Sequence, residues 1–101
     1  MDQIRQIKLI SKEYTLNAIG VPVATETPKT VFASMYSVSQ VEFYRAGQEG
    51  LKPQAVYAVR FPEYSGEDEI EADGERYTVY RTYIRVDGRI ELYVTKRKGE
   101  K

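Results

Sequence analysis

Seven carboxylates fall between Glu63 and Glu75 (Glu63, Glu67, Asp68, Glu69, Glu71, Asp73 and Glu75) with no basic residue among them. Such a run first suggests a hard-cation site, and its sharpest form is a calcium loop. Counted from Glu69, acids occupy positions one, three and five and Gly74 position six. Position twelve, however, is Tyr80 where a bidentate Glu is required, and no flanking helices are predicted. A solvated acidic loop running into a hairpin accounts for the same residues without a metal. Acid-base catalysis by Glu67, Asp68 and Glu69 fares no better, because a flexible run of like charges gives neither separation nor burial. Cysteine and histidine are both absent, which removes thiolate chemistry, disulfides and the commonest metal ligand and general base. Neither an enzyme nor a cofactor is expected.

Beyond the acidic run the sign reverses: Arg76, Arg81, Arg85, Arg89, Lys96, Arg97 and Lys98 outnumber Asp87 and Glu91. Across the chain 15 basic residues balance 15 acidic ones, so no global field favours a polyanion. The asymmetry is local, with Glu67, Asp68 and Glu69 on one edge and Arg81, Arg85 and Arg89 on another. Unlike edges on one molecule suit head-to-tail contact between identical subunits, and a closing rotation makes a ring. Tyr77, Tyr80, Tyr83 and Tyr93, interleaved with arginine, also resemble a base-stacking platform of the OB-fold kind. Core packing and cross-strand aromatic pairs explain them more simply, since acids offset the basic groove that such a platform needs.

The elements that position these residues are mostly strands. Nine Tyr and three Phe in 101 residues, together with many β-branched residues, suit a pleated, half-buried surface. The length fits one domain spanning 1–101, with fraying expected at 1–4 and 98–101. No long apolar run follows Met1, so neither a signal peptide nor a membrane span is expected, only a soluble protein made in a cytoplasm. Arg5 to Leu16 reads as strand one, Asn17-Ala18-Ile19-Gly20 as a turn, Pro22 to Pro28 as a loop, and Thr30 to Val38 as strand two. Ser39-Gln40-Val41-Glu42 has capping-box spacing, predicting one or two helical turns over Gln40 to Ala46 that must pack on something. From Pro53, Ala55, Tyr57, Val59 and Phe61 form the core face of a strand.

Two Asp-Gly dipeptides then set two hairpins. A two-residue type I′ turn at Asp73-Gly74 places Glu71 opposite Arg76 and Ile70 opposite Tyr77. At Asp87-Gly88 a two-residue loop would waste Ile84 and Ile90. A three-residue loop, Val86-Asp87-Gly88, instead pairs Ile84 with Ile90, Thr82 with Leu92 and Tyr80 with Val94. The first hairpin buries Tyr77 and Val79 and the second Tyr80 and Ile84, so the intervening strand must change faces near Arg81. The prediction is a mostly β fold: a small antiparallel curled sheet or barrel of about six strands, with one short helix or loop between strands two and three.

The order of these elements resembles the head-closure, or head-tail joining, proteins of long-tailed bacteriophages and prophages, from about Ile7 to Thr95. The resemblance rests on Thr30-Val31-Phe32-Ala33-Ser34-Met35, on Ser39 to Phe43, and on the hairpin from Ile70 to Val79. The sequence departs in having Phe32 where that family often has Trp, and in its longer acidic approach to the first hairpin. What the resemblance implies is a structural protein of the virion neck, monomeric or not when free. In the particle it forms a ring under the portal and adaptor, retains packaged DNA close by, and offers the tail terminator its attachment site. No membrane is involved. Within that frame Val41, Phe43 and Tyr44 are expected to contact a neighbouring subunit or the channel, or to form a lid on the barrel's open end.

Overall fold

The two Asp-Gly turns fix the C-terminal half of the fold. A computed structural model describes residues 3–96. In it β4 (Glu69–Ala72) and β5 (Glu75–Ile84) pair Glu71 with Arg76 and Ile70 with Tyr77. Asp73 (φ 54°) and Gly74 (φ 77°) are both left-handed, the signature of a type I′ turn. The next turn joins β5 to β6 (Arg89–Lys96), holding Ile84 opposite Ile90 and Thr82 opposite Leu92, with Gly88 at φ 86°. The Arg85 amide donates to the Arg89 carbonyl at 2.8 Å, which closes the bulged three-residue loop.

One expected pair is wrong. Val94 faces Val79, and Tyr80 is the extra residue of a β-bulge between Val79 and Arg81. A bulge leaves two consecutive residues opposite one partner, so Tyr80 joins Arg81 on the outer face over Tyr93 and does not enter the core. Ile84, expected to be buried, is exposed beside the turn.

β3 (Pro53–Arg60) pairs with β6 on one side and, through Val56, Tyr57 and Ala58, with β2 (Pro22–Tyr36) on the other. Its odd residues Ala55, Tyr57 and Val59 enter the core as expected. Phe61 does not: Pro62 helps to turn the chain into a single 3-10 turn over Phe61–Glu63, and the Phe61 ring is half exposed. β1 (Gln3–Leu16) pairs with β2 (Pro22–Tyr36) and, through Lys8, Leu9 and Ile10, with β4. The result is a closed six-stranded antiparallel barrel in the order β1-β2-β3-β6-β5-β4. Ile7, Leu9, Val59, Ile70, Leu92 and Val94 are its most deeply buried side chains.

The N-terminal hairpin departs most from expectation. Pro22 to Pro28 is no loop but half of a 15-residue strand paired with β1 along its whole length. The Asn17 amide donates to the Val21 carbonyl. Hydrogen-bonded pairs alternate in an antiparallel ladder, so Leu16↔Pro22 and Ile10↔Pro28 occupy the non-bonded positions. Each proline nitrogen therefore faces away from β1, toward an edge that β3 reaches only at Ser34 to Tyr36. Gln3 and Ile4, expected to fray, lie in β1 opposite Met35 and Ser34. The fraying expected at 98–101, and Arg97 and Lys98 of the basic run, lie outside the described residues.

Beyond the barrel, Lys12–Leu16 and Pro22–Glu26 continue as an exposed two-stranded arm. At about 3.3 Å per residue a 14-residue strand is ~46 Å long, which matches the 50 Å long axis against 30 and 24 Å for the others. Among the described residues no helix is long and apolar enough to cross a membrane.

Candidate functional site

The helix α1 (Gln40–Gly47) sits between β2 and β3 and starts as its sequence predicts, with Ser39 Oγ accepting from the Glu42 amide at 3.1 Å. A full capping box would return the Glu42 carboxylate to Ser39. Here that carboxylate turns to the barrel. It accepts from Tyr80 Oη at 2.6 Å, from an Arg81 guanidinium nitrogen at 2.7 Å and from Arg45 at 3.0 Å. Its side chain is only 6% exposed. Arg81 in turn lies over the Tyr93 ring, 4.1 Å from its centroid, and Tyr80 meets the same ring edge-on at 6.3 Å.

The bulge makes this arrangement possible, because only there do two consecutive β5 side chains face one way. Burial works to raise the Glu42 carboxyl, but the hydrogen bonds from Tyr80, Arg81 and Arg45 outweigh it and hold the pKa at about 2. The Tyr80 phenol is pushed up, first by burial and then by its bond to Glu42. A carboxylate with three donors, two of them charged, stays ionised and fixes the helix against the β5–β6 surface.

With Glu42 and Ala46 turned inward, the other face of α1 points to solvent. Val41 is 78% exposed, Phe43 54% and Tyr44 70%. The three side chains expected to make a contact or a lid therefore each stand open to solvent, Val41 beside Tyr44 one turn on and Phe43 on the opposite flank of the helix.

The charged edges are largely consumed within the molecule. Glu69 is bound by Lys12 at 3.2 Å and by Arg76 at 2.8 Å, and Arg76 also reaches Glu26 at 3.1 Å. The Glu67 carboxylate accepts from the Ser65 amide at 2.7 Å. Arg81 is held by Glu42, and Arg85 by Asp87 and Glu91. Of the six residues expected to form complementary edges, Glu67, Asp68 and Arg89 have no ion pair among the described residues. The acidic run does not converge either: no group of three carboxylates among the described residues is placed to hold a metal ion.

No protein-family model and no curated protein matches this chain.

The four tyrosines do not make one stacking face. Tyr77 packs against the core, Tyr80 and Tyr93 are engaged with Glu42, Arg81 and Glu91, and Tyr83 stands exposed. Sequence reasoning found the capping Ser39, Glu42 and the face switch separately, but missed that Glu42 joins them. A carboxylate inside a helix with apolar neighbours, set against an expected irregularity bearing Tyr and Arg, was the signal available.

Proposed function

We propose that this protein is a ring-forming structural component of a bacteriophage neck, acting at head closure between the portal-adaptor complex and the tail. The observation that carries the proposal is the clamped helix: three large apolar side chains held in solvent on an element fixed by a nearly buried carboxylate. An exposed apolar group on a rigid support suits an assembly surface, since little ordering entropy remains to be lost on docking. The resemblance over Ile7 to Thr95 supplies the biological setting, and a small closed barrel with outward appendages is compatible with it. Under this proposal the helix face meets a neighbouring subunit or lines the channel, and the partners are further copies of the chain, the adaptor above and the tail terminator below, close to packaged DNA.

Electron microscopy of particles made without the protein tests the assignment. Emptied, tailless heads are expected. Filled heads beside free tails would assign a later joining step instead, and normal particles would remove the protein from the neck. In complementation, Phe43→Ser is expected to give a folded protein, within about 0.5 kcal/mol of the parent in urea denaturation because the site is exposed, that no longer yields tailed particles. Full rescue by Phe43→Ser would overturn the role given to the helix. Salt-sensitive retention of a single-stranded oligonucleotide would point to the nucleic-acid reading instead.

A further inference from the structure

Arg60 and Arg89 stand directly opposite each other across β3 and β6. Their neighbours Val59 and Ile90 enter the core, so both arginines lie on the outer surface. Like charges in directly opposed positions repel, and here no acid offsets them. The other described arginines each have a side-chain acceptor: Gln3 for Arg5, Glu42 for Arg45 and Arg81, Glu26 and Glu69 for Arg76, and Asp87 and Glu91 for Arg85. The guanidinium groups of Arg60 and Arg89 have none among the described residues. Glu91, two residues along β6 on the same face, is taken by Arg85 and by Tyr93 Oη.

The pair borders a shallow groove of about 180 Å³ that is also lined by Ile4, Phe32, Ser34 and Ala58. The groove opens where two strands part, since β3 pairs with β2 no further than Ser34↔Ala58. Ser34 and Ala58, small and almost fully buried, form its floor, while Ile4 and Phe32 are each more than 60% exposed. Ser34 Oγ is buried without a hydrogen-bond partner, a state that buried hydroxyls seldom keep. Two uncompensated cations beside an apolar wall and a spare hydroxyl fit a ligand that carries an anion next to an apolar group.

Arginine forks bind carboxylate and phosphate alike, and the surroundings decide between them. A nucleic-acid backbone needs a run of cations. Here the positive surface ends with the pair, because Glu91 shares the face of Arg89 and Glu63 closes the turn that follows Arg60. We propose that the groove binds a short acidic segment of a partner protein, with carboxylates on Arg60 and Arg89 and an adjacent aliphatic side chain against Ile4 and Phe32. This surface shares no residue with the exposed helix face, and its chemistry is independent of the neck assignment.

The probe is the blocked peptide Asp-Leu-Asp-Leu-Asp, titrated at low salt into isotope-labelled protein and followed by amide NMR shifts. Saturable shifts are expected at Phe32, Ala58, Arg60 and Arg89, with the Asn-Leu-Asn-Leu-Asn counterpart binding about tenfold more weakly for the lost charge-assisted bonds. Arg60→Gln with Arg89→Gln is expected to erase the difference between the peptides without lowering the urea midpoint, because it removes a repulsion. Phe32→Ser is expected to weaken both peptides alike. No shift at these amides, or equal binding of the two peptides by the parent protein, would overturn the site. So would a lowered midpoint in the double arginine variant, which would mean that the pair is engaged within the fold. Inorganic phosphate or a single-stranded oligonucleotide moving the same amides at lower concentration than the acidic peptide would replace the carboxylate with a phosphate. Shifts there on concentrating the protein alone would replace the partner with a second copy.

Discussion

Helix α1 and the hairpin arm both leave the barrel and both expose large apolar side chains, but they are anchored in opposite ways. Eight helical residues are too few to be stable alone, and α1 persists because a nearly buried carboxylate ties it to the bulge through Tyr80 and Arg81. The arm hangs on a ladder of backbone bonds. Its side-chain ties, Lys12 to Glu69 and Glu26 to Arg76, lie at its base, and beyond Glu13 it carries no ion pair among the described residues. One appendage is part of the cooperative fold, and the other is attached to it. An interface built on the first comes preformed, whereas one built on the second can adjust to its partner.

The largest effect is expected from Glu42→Ala, which leaves Arg81 and Tyr80 without the acceptor they were buried against. A loss of about 2–3 kcal/mol in urea denaturation follows, with the α1 amides exchanging much faster. Glu26→Ala removes a carboxylate at the arm's base that is more exposed, and no measurable shift in midpoint is expected. Equal losses from the two would erase the distinction between the appendages.

Acid should separate the same two regions. The Glu42 carboxyl is lowered from an ordinary 4.5 to about 2 in the folded protein. Its contribution is therefore fully present above the unfolded value and is lost as pH falls through 4.5 toward 2. Over that window the parent protein should lose stability more steeply than Glu42→Gln, which has no such proton to take up. Parallel pH profiles for the two proteins would show that the clamp is not what acid releases.

The barrel was legible because pairing arithmetic constrains it. Ile70 against Tyr77 and Ile84 against Ile90 are the registers that keep apolar residues together, and a one-residue slip would reverse both. The same arithmetic required a face switch but could not place it to the residue. Tyr80 was therefore given to the core although it belongs to the clamp. The arm was missed for a different reason. Pro22 and Pro28 read as breakers, yet a proline costs a ladder nothing where its nitrogen faces an open edge, and which side a nitrogen faces depends on a register that sequence alone did not supply. The Glu42 clamp was least legible of all. It joins residues 38 and 39 positions apart, and its carboxylate already had a local explanation as a capping partner.

The smallest and finest test uses one substitution in two places. Gly74 turns the β4–β5 hairpin at φ 77° and Gly20 the tip of the arm at φ 82°, and a Cβ at either would meet no atom within 4 Å. Alanine at each thus brings the same backbone strain, about 1 kcal/mol, with no clash to confuse it. At Gly74 the turn joins two strands of the closed barrel, so the strain falls on the global unfolding transition and the midpoint drops accordingly. At Gly20 the tip is held by the Asn17 side chain, whose Oδ1 accepts from the Ile19 and Val21 amides at 3.0 and 2.9 Å. If the arm opens without the barrel, Gly20→Ala leaves the midpoint unchanged and instead speeds exchange of the Asn17 and Gly20 amides, by roughly fivefold for a local cost of that size. A midpoint shift from Gly20→Ala as large as that from Gly74→Ala would mean that the arm unfolds with the barrel, and that its apolar face is held as rigidly as the helix.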